Sequence, residues 1–249
     1  MVWFAGTALK KIGQFDISNI KNTITNITEE VWNNDPRMTT NQSFYEAATL
    51  WIRKVPETHY GFNQEFHAFD TINFNNSEFE EQCRTFQKQF ETQFNGVLIR
   101  TCIIRLLPGQ QVKKHVDGDE NLHRYCNRLI LPIITNPQVI MTCDSPNDTE
   151  LPTDFVLDEN IVYDTNGYVP HRTVNNGDTT RYAFILDFLS NNLEHPMKVN
   201  IYSKLDNALW QKIYNEGQKK IMPPEIKQPL IETSNAWRDL YWQQEKIIQ

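Results

Sequence analysis

A chain of 249 residues is long enough to bury a full core, as one large domain or one domain with helical extensions. Its 39% hydrophobic and 12% aromatic residues are ordinary for a soluble globular protein, and a net charge of −7 leaves no electrostatic footprint for duplex nucleic acid or an anionic membrane. No apolar run approaches the roughly 20 residues of a membrane span, and Lys10 and Lys11 follow the first apolar residues instead of preceding them, so a cytoplasmic protein without a membrane partner is expected.

Ile17, Ile20, Ile24, Ile27 and Val31 recur at steps of three and four, which predicts one helix over about 17–32, capped by Asp16 or Ser18 and stopped at Asp35-Pro36. The stretch 37–74 is mixed; Thr49-Leu50-Trp51-Ile52 suits an edge strand, and His59 and His67 read as surface or core histidines. Ser77-Glu78-Phe79-Glu80 has the form of a capping box, opening a helix with Phe79, Cys83, Phe86, Phe90 and Phe94 on one face against a sheet.

From Gly96 the texture changes to short β-rich runs separated by turn residues. Strands are expected at 97–107, 112–117, 128–135, 138–143, 155–157, 161–163, 171–175 and 181–189, a pattern that suggests a sandwich or barrel of the jelly-roll type. After Pro196 helical periodicity returns: Ser203 with Asp206 can cap a helix carrying Leu205, Leu209 and Ile213 and ended by Gly217, and a last helix is expected near 234–247. Trp210, Trp237 and Trp242 would pack these helices back on the barrel, with a dimer contact as the other reading. The fold class is thus mainly β with flanking helices, one domain over 1–249: N-terminal helices and edge strands in 1–95, the β core in 96–190 and a helical extension in 191–249. Cys83, Cys102, Cys126 and Cys143 lack metal-type spacing and are expected as buried, reduced thiols.

Side chains two apart on a strand share a face, so His115 and Asp117 aim into one pocket. Together they form two-thirds of the 2-His-1-carboxylate triad of non-haem Fe(II) oxygenases, and the third ligand, from another strand, is best supplied by His171. The turn signal Asn175-Asn176-Gly177-Asp178 then suggests a hairpin that would set Arg181 nearly opposite His171 across a ladder. By parity Arg181, Ala183, Ile185 and Asp187 face inward, while Tyr182, Phe184, Leu186 and Phe188 pack outward under helices. An arginine on an inward face is costly unless an anion meets it, so a small-molecule acid is expected beside the metal.

These residues resemble the iron and 2-oxoglutarate sites of the Fe(II)/2-oxoglutarate-dependent dioxygenases. Within them, Leu106-Leu107-Pro108-Gly109 ahead of His115, the run from Arg128 to Pro137, and His171-Arg172-Thr173-Val174-Asn175 through Arg181 to Asp187 resemble the aspartyl/asparaginyl β-hydroxylase group, which includes hydroxylases of free proline. The likeness covers about residues 97–190. It implies a double-stranded β-helix (jelly-roll, cupin-like) core, Fe(II) held by the catalytic triad His115, Asp117 and His171, and 2-oxoglutarate chelating the metal with its far carboxylate on Arg181. The implied reaction consumes O2 and hydroxylates an unactivated C–H of an amino acid, or of a residue in a peptide or protein, with succinate and CO2 as coproducts. Family members often carry Arg-x-His where this chain has Arg128-Leu129-Ile130; Arg128 is retained as a cosubstrate contact and the histidine is replaced. The Arg-x-Ser motif of other branches is absent, since Ala183 follows Arg181. Asp119 reads as a solvated loop acid and His123 as a loop histidine, with the mouth of the pocket as its other possible place; His195 is outside the pattern. Rival readings are a non-catalytic β-barrel that binds a metal or organic acid, and an oxygenase acting on nucleic acid, ranked lower because Lys113 and Lys114 belong to no basic stripe.

Overall fold

The computed structural model describes residues 8–34, 38, 42–55, 65–71, 74, 76–117, 126–144, 151–167, 169–191, 198–204 and 206–218. In chain order it runs β1 (Leu9–Gln14), α1 (Ser18–Thr23), α2 (Glu29–Trp32), β2 (Ala48–Lys54), β3 (Glu65–Asp70), α3 (Ser77–Gln93), β4 (Gly96–Leu106), β5 (Gln111–His115), β6 (Asn127–Ile134), β7 (Val139–Cys143), β8 (Thr153–Phe155), β9 (Ile161–Thr165), β10 (His171–Asn175), β11 (Arg181–Ser190), β12 (Lys198–Tyr202) and α4 (Asn207–Gln218). Of the eight strands expected between residues 96 and 190, seven form largely as expected within β4 to β11, while the one expected at 155–157 lies earlier, as β8 at Thr153–Phe155.

They divide between two sheets. The small sheet has the order β5-β10-β7-β8; the large one runs β1-β9-β6-β11-β4-β2-β3-β12. Four consecutive strands of the large sheet, β9, β6, β11 and β4, pack against the small sheet to make the jelly-roll core. Strands from both ends of the chain widen it, and β12 joins β3 in parallel. No helix among the described residues is long and apolar enough to cross a membrane.

Strand parity divides the apolar residues between two layers. On one face of the large sheet, Leu129, Leu131, Phe184, Leu186 and Phe188 pack with Ile20, Ile24, Phe79, Phe86 and Phe90. The aromatic stripe of α3 is therefore core, with Phe86 stacked on Phe184 at 4.1 Å between ring centroids. Burial of each such ring stabilises the fold by about 1.5–3 kcal/mol. On the other face, Ile130 and Ala183 meet Met141, Cys143 and Val169 between the sheets, while Cys102, Ile104 and Leu106 meet Val112. All four cysteines are buried and free, as their spacing suggests.

Local expectations differ from the structure in several places. The single helix over 17–32 is two short helices joined by a 3-10 turn at Ile24–Asn26, with Ile27 and Thr28 extended. Thr23 to Thr28 is a run of β-branched residues and Asn, which lose rotamer freedom or compete for backbone hydrogen bonds in a helix. The tighter turn still keeps Ile20, Ile24 and Ile27 buried on one side. The cap of α3 lies one residue earlier than the predicted box: the Asn76 side chain accepts from Phe79 N (3.1 Å), and Glu80 reaches back to accept from Phe74 N (2.8 Å). The Thr49 to Ile52 run is no edge; β2 lies between β4 and β3, and five of the seven residues from Ala48 to Lys54 are buried, with Ile52 fully covered.

The strands β1, β3 and β12 were not legible as strands, the last being expected as helix. Asp206 does cap α4, accepting from Ala208 N and Leu209 N at 2.9 and 3.0 Å, and α4 continues to Gln218, one residue past Gly217. Trp210 packs edge-on against Phe69 of β3. Asp35, Pro36, His59, Asp119, His123, His195, Leu205, Trp237, Trp242 and the helix expected at 234–247 lie outside the described residues.

Candidate metal centre

His115 is the last residue of β5, and Asp117 follows it by two, just beyond the strand end, where its N–H donates to Gly167 O at 2.8 Å. His171 opens β10 and is the register partner of His115 across the small sheet. The two imidazoles lie 4.5 Å apart between ring centroids. Nδ1 of His115 bonds Lys113 O at 2.8 Å, and Nδ1 of His171 bonds Val169 O at 2.9 Å. A carbonyl only accepts, so each Nδ1 carries a proton, and in the neutral tautomer that a metal takes each Nε2 offers the lone pair. Both lone pairs face the carboxylate: His115 Nε2 is 3.9 Å from Asp117 Oδ1, and His171 Nε2 is 3.9 Å from Asp117 Oδ2.

The three donor atoms lie within 4.8 Å of one another, the one such grouping among the described residues. Burial first, and the neighbouring His171 second, push the His115 imidazole below its ordinary range, toward the neutral form that a metal requires. Two Nε2 atoms with carbonyl-anchored rings and one carboxylate oxygen are the donor set of a facial triad, so the residues fit Fe(II) and leave three coordination positions for other ligands. Phe44 stands edge-on to His115 at 5.4 Å between centroids.

Behind Asp117 lies a row of charge. Arg128 Nη1 is 2.9 Å from Asp117 Oδ1, and Arg128 Nε is 2.5 Å from Asp187 Oδ1. Asp187 also accepts from Arg100 Nε through its other oxygen. Burial alone would lower the Arg128 pKa, but the charges of Asp117 and Asp187 outweigh it and raise the value.

Arg181 is the first residue of β11 and is 3% exposed. Burial, the sole cause, lowers its pKa to about 10, so no carboxylate of the described residues offsets its charge. Ala183 and Ile185 continue the same inward face, as parity predicts. The predicted ladder between His171 and Arg181 is not present. β10 pairs with β5 and β7, and β11 with β4 and β6, so residues 176–180 cross between sheets. Asn175 Nδ2 holds the crossing by donating to Leu106 O (3.0 Å) and Thr179 O (2.9 Å), which prevents the two strands from zipping together.

Of the five residues singled out by sequence, His115, Asp117 and His171 come together, Arg128 reaches Asp117, and Arg181 opens β11 opposite Leu106 of β4. Two further groups escaped sequence reasoning. Asp187 was placed inward by parity but given no partner, although a buried acid demands a cation as firmly as Arg181 demands an anion. Gly167 had no signal: a Cβ there would stand 2.7 Å from Asp117 Oδ2, so only glycine allows the carboxylate its present position. A separate groove of about 300 Å³, lined by Phe15, Ile20 and Phe86 and rimmed by Asp16, Glu78 and Glu81, lies on the helical face of the large sheet and does not serve this centre.

A sequence model described as aspartyl/asparaginyl β-hydroxylase matches residues 18–191. No curated protein sequence matches the chain. Similar solved structures include an oxidoreductase of the 2OG-Fe(II) oxygenase family from Burkholderia pseudomallei, 10% identical over 77% of this chain and 88% of that chain, with a TM-score of 0.46. A prolyl hydroxylase from Trichoplax adhaerens, in complex with a hypoxia inducible factor oxygen degradation domain peptide fragment, is 12% identical over 74% and 84% of the two chains, at 0.45. A prolyl-4-hydroxylase from Pseudomonas putida is 13% identical over 74% and 93%, at 0.39.

Proposed function

Since the chain belongs to the aspartyl/asparaginyl β-hydroxylase family, we propose that it is an Fe(II)- and 2-oxoglutarate-dependent dioxygenase hydroxylating an unactivated C–H of an amino acid, or of a residue in a peptide or protein. The observation that carries this reading is the presence of an N2O donor set together with a buried arginine that has no acid beside it among the described residues. His115, Asp117 and His171 would hold Fe(II), and Arg181 the far carboxylate of 2-oxoglutarate. When bound, the metal and cosubstrate supply the activation of O2, with succinate and CO2 as coproducts.

The chain's own residues supply position and charge. The carbonyls of Lys113 and Val169 fix both imidazole tautomers, so the ligand lone pairs are preset before the metal arrives. Arg181 exchanges its lost hydration for a bidentate carboxylate, which orients a dicarboxylate with its other end toward the triad. Arg128, beside Asp117, would be the second cationic contact of the cosubstrate. The apolar lining from Ile130, Met141, Ala183 and Ile185 keeps water from the space between.

The test is turnover: protein with Fe(II), ascorbate and 2-oxoglutarate, offered free amino acids and peptide pools, read as succinate formed and as a 16 Da gain on a substrate. Succinate coupled to a hydroxylated product supports the reading. Binding of 2-oxoglutarate by calorimetry without any succinate would instead support a non-catalytic organic-acid-binding barrel.

A further inference from the structure

We propose that Asp187 is a positioning residue for the metal carboxylate, acting through Arg128, with Arg100 holding it in place. The inference rests on the metal reading above and deepens it. It starts from register: Asp187 of β11 is the Cα partner of Arg100 on β4 and of Arg128 on β6, so the three lie in one row across three adjacent strands. The Asp187 side chain is 1% exposed, and both of its oxygens are engaged, Oδ1 by Arg128 and Oδ2 by Arg100. A buried acid between two cations would need no fourth member. Yet Arg128 reaches out of the row and off its own sheet, placing Nη1 on Asp117 Oδ1 at 2.9 Å.

That reach has a mechanical consequence. Asp117 lies past the end of β5, where no ladder bond fixes its side chain, and its carboxylate has two torsions to set. A guanidinium is a rigid planar fork, so fixing its Nε edge fixes the direction of Nη1. Asp187 fixes the Nε edge. Arg128 therefore presents one N–H to Asp117 in a set direction, and the carboxylate is held facing the two Nε2 atoms. Without Asp187, Arg128 keeps its charge but loses its aim. Ligand-orienting partners of this kind are worth 10–100-fold in metal affinity.

The experiment is a Mn(II) titration of the metal-free protein, with free Mn(II) read by electron paramagnetic resonance and folding checked by circular dichroism and Tm. Wild type, Asp187→Asn, Arg128→Gln and the double variant are compared. Asp187→Asn is expected to weaken Mn(II) binding about tenfold. The double variant is expected to bind no more weakly than Arg128→Gln alone, because Asp187 acts through Arg128. Wild-type affinity in Asp187→Asn, or additive losses in the double variant, would overturn the proposal while leaving the metal centre standing. If wild type itself binds no Mn(II), the metal reading fails and this inference with it. Should Asp187→Asn not fold, Arg128→Lys carries the test: an ammonium keeps the charge but has no fork, so a tenfold loss supports the proposal and unchanged affinity overturns it.

Discussion

His115 and His171 face each other as register partners on adjacent antiparallel strands, each ring pinned through Nδ1 to a main-chain carbonyl two residues before it. The shared i−2 bond makes the pair a product of backbone geometry, present before any metal binds. His115→Ala or His171→Ala should therefore leave the sheet intact while abolishing succinate formation. The same variants should lose the Tm increase that Mn(II) gives the wild type, since one imidazole fewer leaves a bidentate site. Metal-dependent stabilisation that survives in both variants would place the ion elsewhere.

Arg181 separates cosubstrate binding from folding. If Arg181 holds the far carboxylate of 2-oxoglutarate as proposed, replacing it with Met would remove a buried charge-assisted pair worth on the order of 2–5 kcal/mol and raise the 2-oxoglutarate KM roughly thirtyfold or more. Without cosubstrate the sign reverses. The wild type buries a cation with no acid to meet it among the described residues, so Arg181→Met should melt at or above the wild-type Tm in the absence of 2-oxoglutarate. Thermal melts with and without the diacid give both arms, and a variant destabilised in its absence would mean that Arg181 is already paired in the free protein.

The triad and Arg181 were legible because they are chemically conspicuous: a His-x-Asp at a strand end, a second His, and a cation on an inward parity. Parity alone placed Phe184 and Phe188 under α3 and Ala183 in the barrel. Connectivity between sheets was not legible in the same way. The Asn175 to Asp178 signal is a sound local turn prediction, but local chemistry cannot tell a hairpin from a crossing pinned by Asn175 to the end of β4. The strand β1 was missed because Lys10, Lys11 and Gly13 break alternation on an exposed edge, and β3 and β12 because their parallel pairing joins residues far apart in sequence.

Gly167 offers a test of how closely Asp117 is confined. The added methyl of Gly167→Ala would meet Asp117 Oδ2 at 2.7 Å and its Cβ at 3.0 Å. Asp117 is the group able to yield, by rotating out of line with the two Nε2 atoms. Metal affinity should fall by tenfold or more, while the chain, whose Gly167 lies outside any regular element, loses less than about 1 kcal/mol of stability. Isothermal titration with Mn(II) beside urea denaturation separates the two effects; a large loss of stability with unchanged affinity would mean that the backbone moves instead of the carboxylate.

Asp164 predicts a pH dependence away from the centre. Its Oδ2 accepts from Asn127 Nδ2 at 2.8 Å, while Oδ1 is buried with no hydrogen-bond partner among the described residues. Burial pushes the carboxyl from 3.8 to about 7, outweighing the Asn127 bond and the charge of Lys10 on the paired strand. Between those values the folded protein keeps a proton that the unfolded chain has released. The contribution of this group to stability is therefore fullest below about pH 4, falls as the pH rises toward 7, and stays low above it. A shift of that size corresponds to roughly 4 kcal/mol as an upper figure. Asp164→Asn mimics the protonated acid at every pH, so it should be more stable than wild type at pH 8, with the difference shrinking to less than half at pH 5. Urea denaturation at the two pH values measures it, and an equal offset at both would show that Asp164 does not titrate in that window.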